Sequence, residues 1–256
     1  MPPFLPAPPH PLPVAAARDT PLDGIALLRH ALTVAFVGRI AVVSSFGAES
    51  AVLLALVAEI DPATPVLFLE TGQHFPATLA YRRELAAHLG LRDVRDISPD
   101  RETLARDDPD GTLWHFNPDA CCARRKVAPL AAALAPFDAW VNGRKRFQAA
   151  TRAGLPFIEI AAGKIKLNPL ADWDAARIAA EFTARALPPH PLAARQYRSI
   201  GCAPCTRATA PDEDPRAGRW SGQIKTECGI HFPGAALSDR AAASSMSPSS
   251  ERHHPE

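Results

Sequence analysis

No run in this chain approaches 18 uninterrupted apolar residues, and that absence excludes an ordinary transmembrane helix. An excess of one charge is also missing: 28 Lys and Arg stand against 27 Asp and Glu, a formal net charge of +1 at pH 7. No global field therefore draws the chain to nucleic acid or to an anionic membrane, and an anion must be bound by a local cluster of cations. The opening MPPFLPAPPHPLPV is broken by proline and has no basic segment ahead of its apolar stretch, so it does not read as a signal peptide. There is no internal repeat. An even cysteine count is lacking too: there are five, and Cys121 and Cys122 are adjacent, a poor start for a disulfide framework. Thiols kept for metal or for chemistry in a reducing cytoplasm, four plus one, fit that arithmetic better.

What is present is a chain of 256 residues, 47% of them apolar, long enough for one α/β domain with a proper core. Short β-branched runs alternate with helical segments. Strands are expected at Arg39 to Ser45, Pro65 to Glu70, Asp93 to Ile97, Ala139 to Asn142 and Phe157 to Ile160. Helices are expected at Ala48 to Ile60, Pro76 to Leu89, Cys121 to Leu134 and Trp173 to Ala186. Such alternation predicts a mostly parallel sheet covered by helices on both faces, with ligands bound beyond the carboxyl ends of the strands. Residues 1–18, rich in Pro and Ala, read as a disordered extension, and 234–256, polar and rich in Ser, as a disordered tail. Between them lie a nucleotide- and cluster-binding domain, 19–210, and a mobile segment around the last cysteine, 211–233, expected to close over bound nucleotide.

Unusual residues gather at the predicted strand ends. Ser44-Ser45-Phe46-Gly47-Ala48-Glu49-Ser50 joins a strand to a helix; small residues let the backbone approach a ligand, and helix-start N–H groups favour phosphate or sulfate. The Gly-Lys-Ser/Thr ending of a Walker A loop is missing, and an ordinary strand-to-helix turn is the competing explanation. Leu69-Glu70-Thr71-Gly72-Gln73-His74-Phe75-Pro76 is a candidate wall for a base or ribose, with His74 read as a packing residue rather than a catalyst. Arg144-Lys145-Arg146 is the kind of local cationic patch an anionic substrate needs, although an isolated basic tripeptide is more often a solvated loop.

The cysteines carry the strongest signal. Cys121-Cys122 and Cys202-Ala203-Pro204-Cys205 supply two pairs and so a four-thiolate site. Neighbouring side chains on a helix diverge by about 100°, which suits a wide [4Fe–4S] cube, each thiolate on its own iron, better than one zinc ion. A redox dithiol at Cys202 and Cys205 would leave the tandem pair unexplained. Lys126, one turn after Cys122, can set a cation beside a cluster or a bound anion. Cys228 stands apart in Lys225-Thr226-Glu227-Cys228-Gly229-Ile230-His231. Flanking cations favour the thiolate and hence a nucleophile; its segment is expected to be polar and weakly structured, outside the core.

Taken in order, these segments resemble the iron–sulfur branch of the adenylyl-sulfate and phosphoadenylyl-sulfate reductase family. The resemblance runs from about Val42 to His231 through LETGQHFP, CCARRKVAPL, WVNGRKRFQAATRA, KIKLNPLADWD, SIGCAPCTR, RAGRW and KTECGIH. It implies a fold like that of the adenine nucleotide α-hydrolases. It implies that Cys121, Cys122, Cys202 and Cys205 ligate the cluster and that Cys228 attacks the sulfate sulfur of adenosine 5′-phosphosulfate. AMP then leaves, and thioredoxin or glutaredoxin releases sulfite from the S-sulfocysteine. Lys126, Arg216, Arg219 and His231 would hold the phosphosulfate; Ser44, Ser45, Gly47, Leu69, Gly143 and Arg144 would line the nucleotide pocket. Arg144 stands where many relatives have Gln and Ile230 where Leu is commoner. A cytoplasmic homo-oligomer is expected. The alternatives are a reductase of the 3′-phosphorylated nucleotide or of both, an ATP-using adenylyltransferase or ligase, and a zinc-stapled binding module without catalysis.

Overall fold

A computed structural model describes residues 23–223 and 225–231. Its centre is a six-stranded sheet, β1 (Ile40–Ser44), β2 (Val66–Leu69), β3 (Val94–Ile97), β4 (Ala139–Val141), β5 (Ile158–Ala161) and β6 (Lys164–Leu167), in the order β3-β2-β1-β4-β6-β5. Every pairing is parallel except the one between β5 and β6. The central strands show why. Every residue of β1, β2 and β4 is buried, as a strand covered on both faces requires. Alternate residues serve opposite faces: Ile40, Val42, Val66, Phe68, Ala139 and Val141 join one apolar cluster, while Ala41, Val43, Leu67, Leu69 and Trp140 join another. Truncating Phe68 to Ala would cost about 3–5 kcal/mol.

The first cluster is closed by residues of α1 (Gly24–His30), α2 (Ser50–Ile60), α3 (Pro76–His88) and α8 (Ala175–Ala184). Helix α2 is apolar nearly all round because it is wedged between sheet and neighbouring helices; Ala51 to Val57 are all buried. The second face is covered by α7 (Ala128–Leu134). Local signals set the boundaries. Asp174 caps α8 by accepting from Arg177 N at 2.7 Å, and Pro76 begins α3 where its missing N–H costs nothing. The segment expected to be plain polar loop holds short helices α4 (Arg101–Asp107), α5 (Leu113–Phe116) and α6 (Pro118–Cys122), with Asp100 and Asn117 as caps of α4 and α6.

Three features differ from the sequence reading. Strand β6 was not expected; it inserts between β4 and the anticipated strand at 157–160, which becomes an antiparallel edge. The expected helix from Cys121 to Leu134 is interrupted by a π turn over Ala123–Val127, ahead of Pro129. The nucleophile segment is not outside the core, as shown below. The extensions at 1–18 and 234–256 lie outside the described residues. Among the described residues no helix is long and apolar enough to cross a membrane.

Candidate active site

The sheet order reverses between β1 and β4, so the loops leaving these strands separate and open a crevice. That crevice is a cavity of about 210 Å³. Its lining includes Ser44, Ser45, Gly47, Leu69, Lys126, Gly143, Arg144, Arg216, Arg219, Cys228 and His231, so the chain brings together every residue expected to touch nucleotide or sulfate. Ser44 Oγ accepts from Phe46 N at 3.1 Å, and Phe46 is held at φ +47°, a left-handed conformation costly for a bulky residue. Burial offsets the cost: Phe46 is fully covered and meets Phe68 edge-on at 5.7 Å. At Gly47 a Cβ would lie 3.3 Å from Ile200 O, so glycine keeps this loop close to the 198–201 strip. His74 lines the cavity as well; its ring packs against Phe68 at 4.8 Å and its Nε2 lies 2.8 Å from Leu69 O.

The basic tripeptide does not form one outward patch. Arg144 is tied to Glu159, Asn142 and Asn168; Lys145 Nζ donates to Glu49 at 2.8 Å and to Gly143 O at 3.0 Å; Arg146 donates to Leu155 O at 2.9 Å. The cationic character arises from residues far apart in sequence. Lys166, on the strand that was not expected, is fully buried over the Trp140 ring and 3.1 Å from Glu159, opposite it in the sheet register. Arg152 and Arg216 meet at Glu227. Burial, then Arg144, Lys166, Arg152 and Arg216, hold His231 well below the usual imidazole range, so it is neutral. Its Nδ1 is buried without a hydrogen-bond partner, a donor or acceptor that a ligand can satisfy. Burial and then Arg152 lower Arg216 to about 10, still protonated at neutral pH.

Cys228 is only 8% exposed and packs with Cys122 and Trp220. A polar, loosely structured setting was expected; instead Glu227 and His231 line the cavity with Cys228, Lys225 pairs with Asp119, and the thiol is buried. Three influences hold Cys228 well below the ordinary thiol range against the penalty of burial: a hydrogen bond from Cys122, the charges of Lys126 and Arg219, and a hydrogen bond from the Ile230 N–H. Gly201 admits Arg219, whose guanidinium occupies the space a Cβ would take. Arg219 also stacks on Trp220 at 4.5 Å.

The other four thiols lie behind this cavity. Cys121, Cys122 and Cys202 are buried, Cys205 half-buried, and none is in a disulfide. Burial raises Cys121 to about 11 and raises Cys205 as well. Thr71 Oγ1 is 3.3 Å from Cys202 Sγ. Cys121 feels the charges of Cys202 and Cys205, while Lys126 and Arg219 both feel Cys122 and Cys202, so the pairs share one neighbourhood. Among the described residues no three Cys, His, Asp or Glu side chains are grouped to share a single metal ion. Sequence reasoning missed Glu49, Arg152, Lys166 and Glu227. Arg152 and Glu227 sat within recognised segments, but nothing local announces a pairing across 75 residues.

Residues 39–208 match the phosphoadenosine phosphosulfate reductase domain. The chain is 54% identical over 203 residues to the adenosine 5′-phosphosulfate reductase of Mesorhizobium japonicum, covering 79% of this chain and 80% of that one. It is 40% identical to the phosphoadenosine 5′-phosphosulfate reductase of Gloeobacter violaceus, over 77% and 83% of the two. Its fold is similar to that of the Candida auris phosphoadenylyl-sulfate reductase in a phosphate complex, with a TM-score of 0.61 and 29% identity over 73% and 91% of the chains.

Proposed function

The chain belongs to the phosphoadenosine phosphosulfate reductase family, and from that premise we propose that it reduces adenosine 5′-phosphosulfate to sulfite and AMP in sulfate assimilation, using thioredoxin or glutaredoxin. The observation that carries the proposal is Cys228: one thiol, inside a cavity lined by Lys126, Arg216, Arg219 and His231, held toward its thiolate. The adenosine lies along the ends of β1, β2 and β4, where Ser44, Ser45, Gly47 and Gly143 present backbone and small side chains and Leu69 an apolar wall. Arg144, engaged by Glu159, borders this end of the cavity.

The Cys228 thiolate attacks the sulfate sulfur while the bond to the bridging oxygen breaks, leaving S-sulfocysteine and AMP. Charge builds on the departing phosphate, where Lys126, Arg216 and Arg219 offer fixed positive charge and neutral His231 a hydrogen bond. A thiolate of the donor then attacks the Cys228 sulfur, and sulfite departs with the bonding pair. The donor's second thiolate resolves the mixed disulfide and restores Cys228. Two electrons pass from dithiol to sulfur, so the balance closes without another reductant.

Cys121, Cys122, Cys202 and Cys205 would hold a [4Fe–4S] cluster. What supports this is the chemistry of the donor set: four thiols in no disulfide, mostly buried, that share a neighbourhood with the cations Lys126 and Arg219. When bound, the cluster supplies an electron-rich body whose field tunes the anion site rather than electrons for the reaction. As a ligand Cys122 gives up its proton, and Lys126, Arg219 and the Ile230 N–H remain to favour the Cys228 thiolate. A reducing compartment, the cytoplasm, suits five free thiols.

Anaerobic incubation with ³⁵S-labelled adenosine 5′-phosphosulfate tests the reading. Wild type acquires a labelled sulfonate on the Cys228 peptide that thioredoxin discharges as sulfite, and Cys228→Ser acquires none. A wild-type protein that never carries the label refutes it. The Gloeobacter relative motivates a second reading, reduction of the 3′-phosphorylated nucleotide, which parallel assays with both nucleotides resolve.

A further inference from the structure

Glu227 immediately precedes the proposed nucleophile, is 8% exposed, and takes no part in the steps above. Its carboxylate sits in a fork. Arg152 donates from Nε to Oε1 at 2.6 Å and from Nη2 to Oε2 at 2.8 Å. Arg216 Nη2 reaches Oε2 at 3.3 Å and the Thr226 carbonyl at 3.0 Å. Arg152 is itself buried and oriented by Gln148, whose Oε1 accepts from Nη1. Gln148 Nε2 and Lys145 Nζ both donate to Glu49 Oε2, at 2.7 and 2.8 Å. One hydrogen-bonded path therefore runs from the loop after β1 to the residue beside Cys228.

A bidentate arginine–carboxylate pair fixes orientation as well as distance. The other polar tie of 225–231, the Lys225–Asp119 pair, is 73% exposed at its acidic end, and the segment is also held by the packing of Cys228 on Cys122 and Trp220 and of Ile230 on its neighbours. Arg216 belongs both to this fork and to the proposed anion site, so an entering anion competes with Glu227 for Arg216 and leaves Arg152 as its remaining anchor. The chemistry also makes two opposed demands. Sulfo transfer needs Cys228 deep in the cavity, whereas a protein dithiol cannot reach a sulfur in a residue that is 8% exposed.

We propose that Glu227, gripped by Arg152, is a positioning residue: the pair latches segment 225–231 onto the nucleotide-binding body for sulfo transfer, and its release presents the loaded Cys228 to the dithiol partner. This rests on the reading of Cys228 as the sulfur that is sulfonated. The latch is ionic and reversible, it acts beside the packing of Cys228 and Ile230, and its hydrogen-bonded path reaches the loop after β1.

The test uses anaerobically purified holoenzyme carrying Glu227→Gln, Arg152→Gln or the milder Arg152→Lys. Three rates are compared with wild type: single-turnover labelling of Cys228 by the sulfonucleotide, thioredoxin-driven sulfite release from preloaded enzyme, and alkylation of Cys228 by iodoacetamide without nucleotide. The latch predicts labelling slowed by about 10- to 100-fold, as for loss of a buried charge-assisted hydrogen bond, with release undiminished and alkylation accelerated. Arg152→Lys falls between. Equal slowing of both half-reactions, or unchanged alkylation, overturns the latch. Should wild type itself take no sulfonate, the functional reading fails, and alkylation alone still judges the latch.

Discussion

Gly201→Ala isolates the contribution of one buried guanidinium. A Cβ at this position would lie 2.5 Å from Cζ and 2.8 Å from Nη1 of Arg219, and closer still to Nη2. Ordinary contact requires about 3.4 Å or more, so the guanidinium must retreat by roughly 1 Å. Arg219 is the flexible partner, and Gly201 has no left-handed φ, so the backbone accepts alanine and the fold persists. The retreat carries a cation away from Cys228 and from the departing phosphate. A misplacement of about 1 Å can cost about 100-fold, and a weakened charge-assisted hydrogen bond about 1.5–3 kcal/mol, so kcat/KM for the sulfonucleotide should fall by about 10- to 100-fold. Steady-state sulfite formation and single-turnover labelling of Cys228 measure it, with thermal unfolding as the companion. Gly24→Ala is the control. There a Cβ meets the Pro169 main chain, 2.8 Å from its carbonyl carbon and nearer to its oxygen, so helix α1 loses about 1–3 kcal/mol of docking while the folded fraction turns over normally. A Gly201→Ala enzyme within about twofold of wild type would refute the placement of Arg219 in the chemistry.

Two further outcomes separate the thiols and the titrating groups. Cys205→Ser should lower iron and labile sulfide per chain, whereas Cys228→Ser should leave both unchanged while abolishing sulfite formation; equal metal loss in the two would contradict the division into four and one. Burial holds His190 at about 4, with its Nε2 3.1 Å from Thr78 Oγ1. Its folded value lies below its unfolded one, so below about pH 6.5 the unfolded chain binds the proton first and stability falls as pH drops from about 6.5 through 4. His190→Gln should flatten that limb in pH-dependent denaturant unfolding, and an unchanged slope would count against a neutral buried imidazole.

Much of this arrangement was legible because it obeys local rules. Buried apolar runs mark β1, β2 and β4, and the motifs singled out in the sequence follow β1 and β4, whose loops border the cavity at the switch point. Cys121, Cys122, Cys202 and Cys205 do share one neighbourhood, while their ligand role belongs to the proposal. What escaped is long-range. Strand β6 is short, and the alternation of Ile165, Lys166 and Leu167 puts a lysine on a buried face, which only Glu159 and Trp140 make tolerable. The burial of Cys228 escaped for a related reason. Lys225, Glu227 and His231 mark its segment as polar, but their partners, Asp119, Arg152 and the cavity, come from distant parts of the chain and draw the segment inward. The basic tripeptide is divided by distant partners: Arg144 and Lys145 line the cavity while engaged by Glu159 and Glu49, and Arg146 turns to Leu155 O.

The two sets of thiols are not independent, because Cys122 packs against Cys228 and because Lys126 and Arg219 act on both sets. Burial works against the charge of Lys126, and Cys202, Cys228 and Cys122 more than offset it. Arg219 feels the same three and Cys205, but there burial prevails in the balance. A buried cation without an anion is costly, so whatever negative charge the four-thiol group carries helps keep Lys126 and Arg219 charged and in place. Those same cations favour the thiolate at Cys228 and line the cavity proposed to take the phosphosulfate. Under the proposed function the four thiols would act on the reaction through these cations and through Cys122, which packs against Cys228, rather than by touching the nucleotide. With the proposed cluster in place, its removal should weaken anion binding even where the fold survives, because Lys126 and Arg219 would lose negative charge beside them; anion binding to iron-depleted protein measures it.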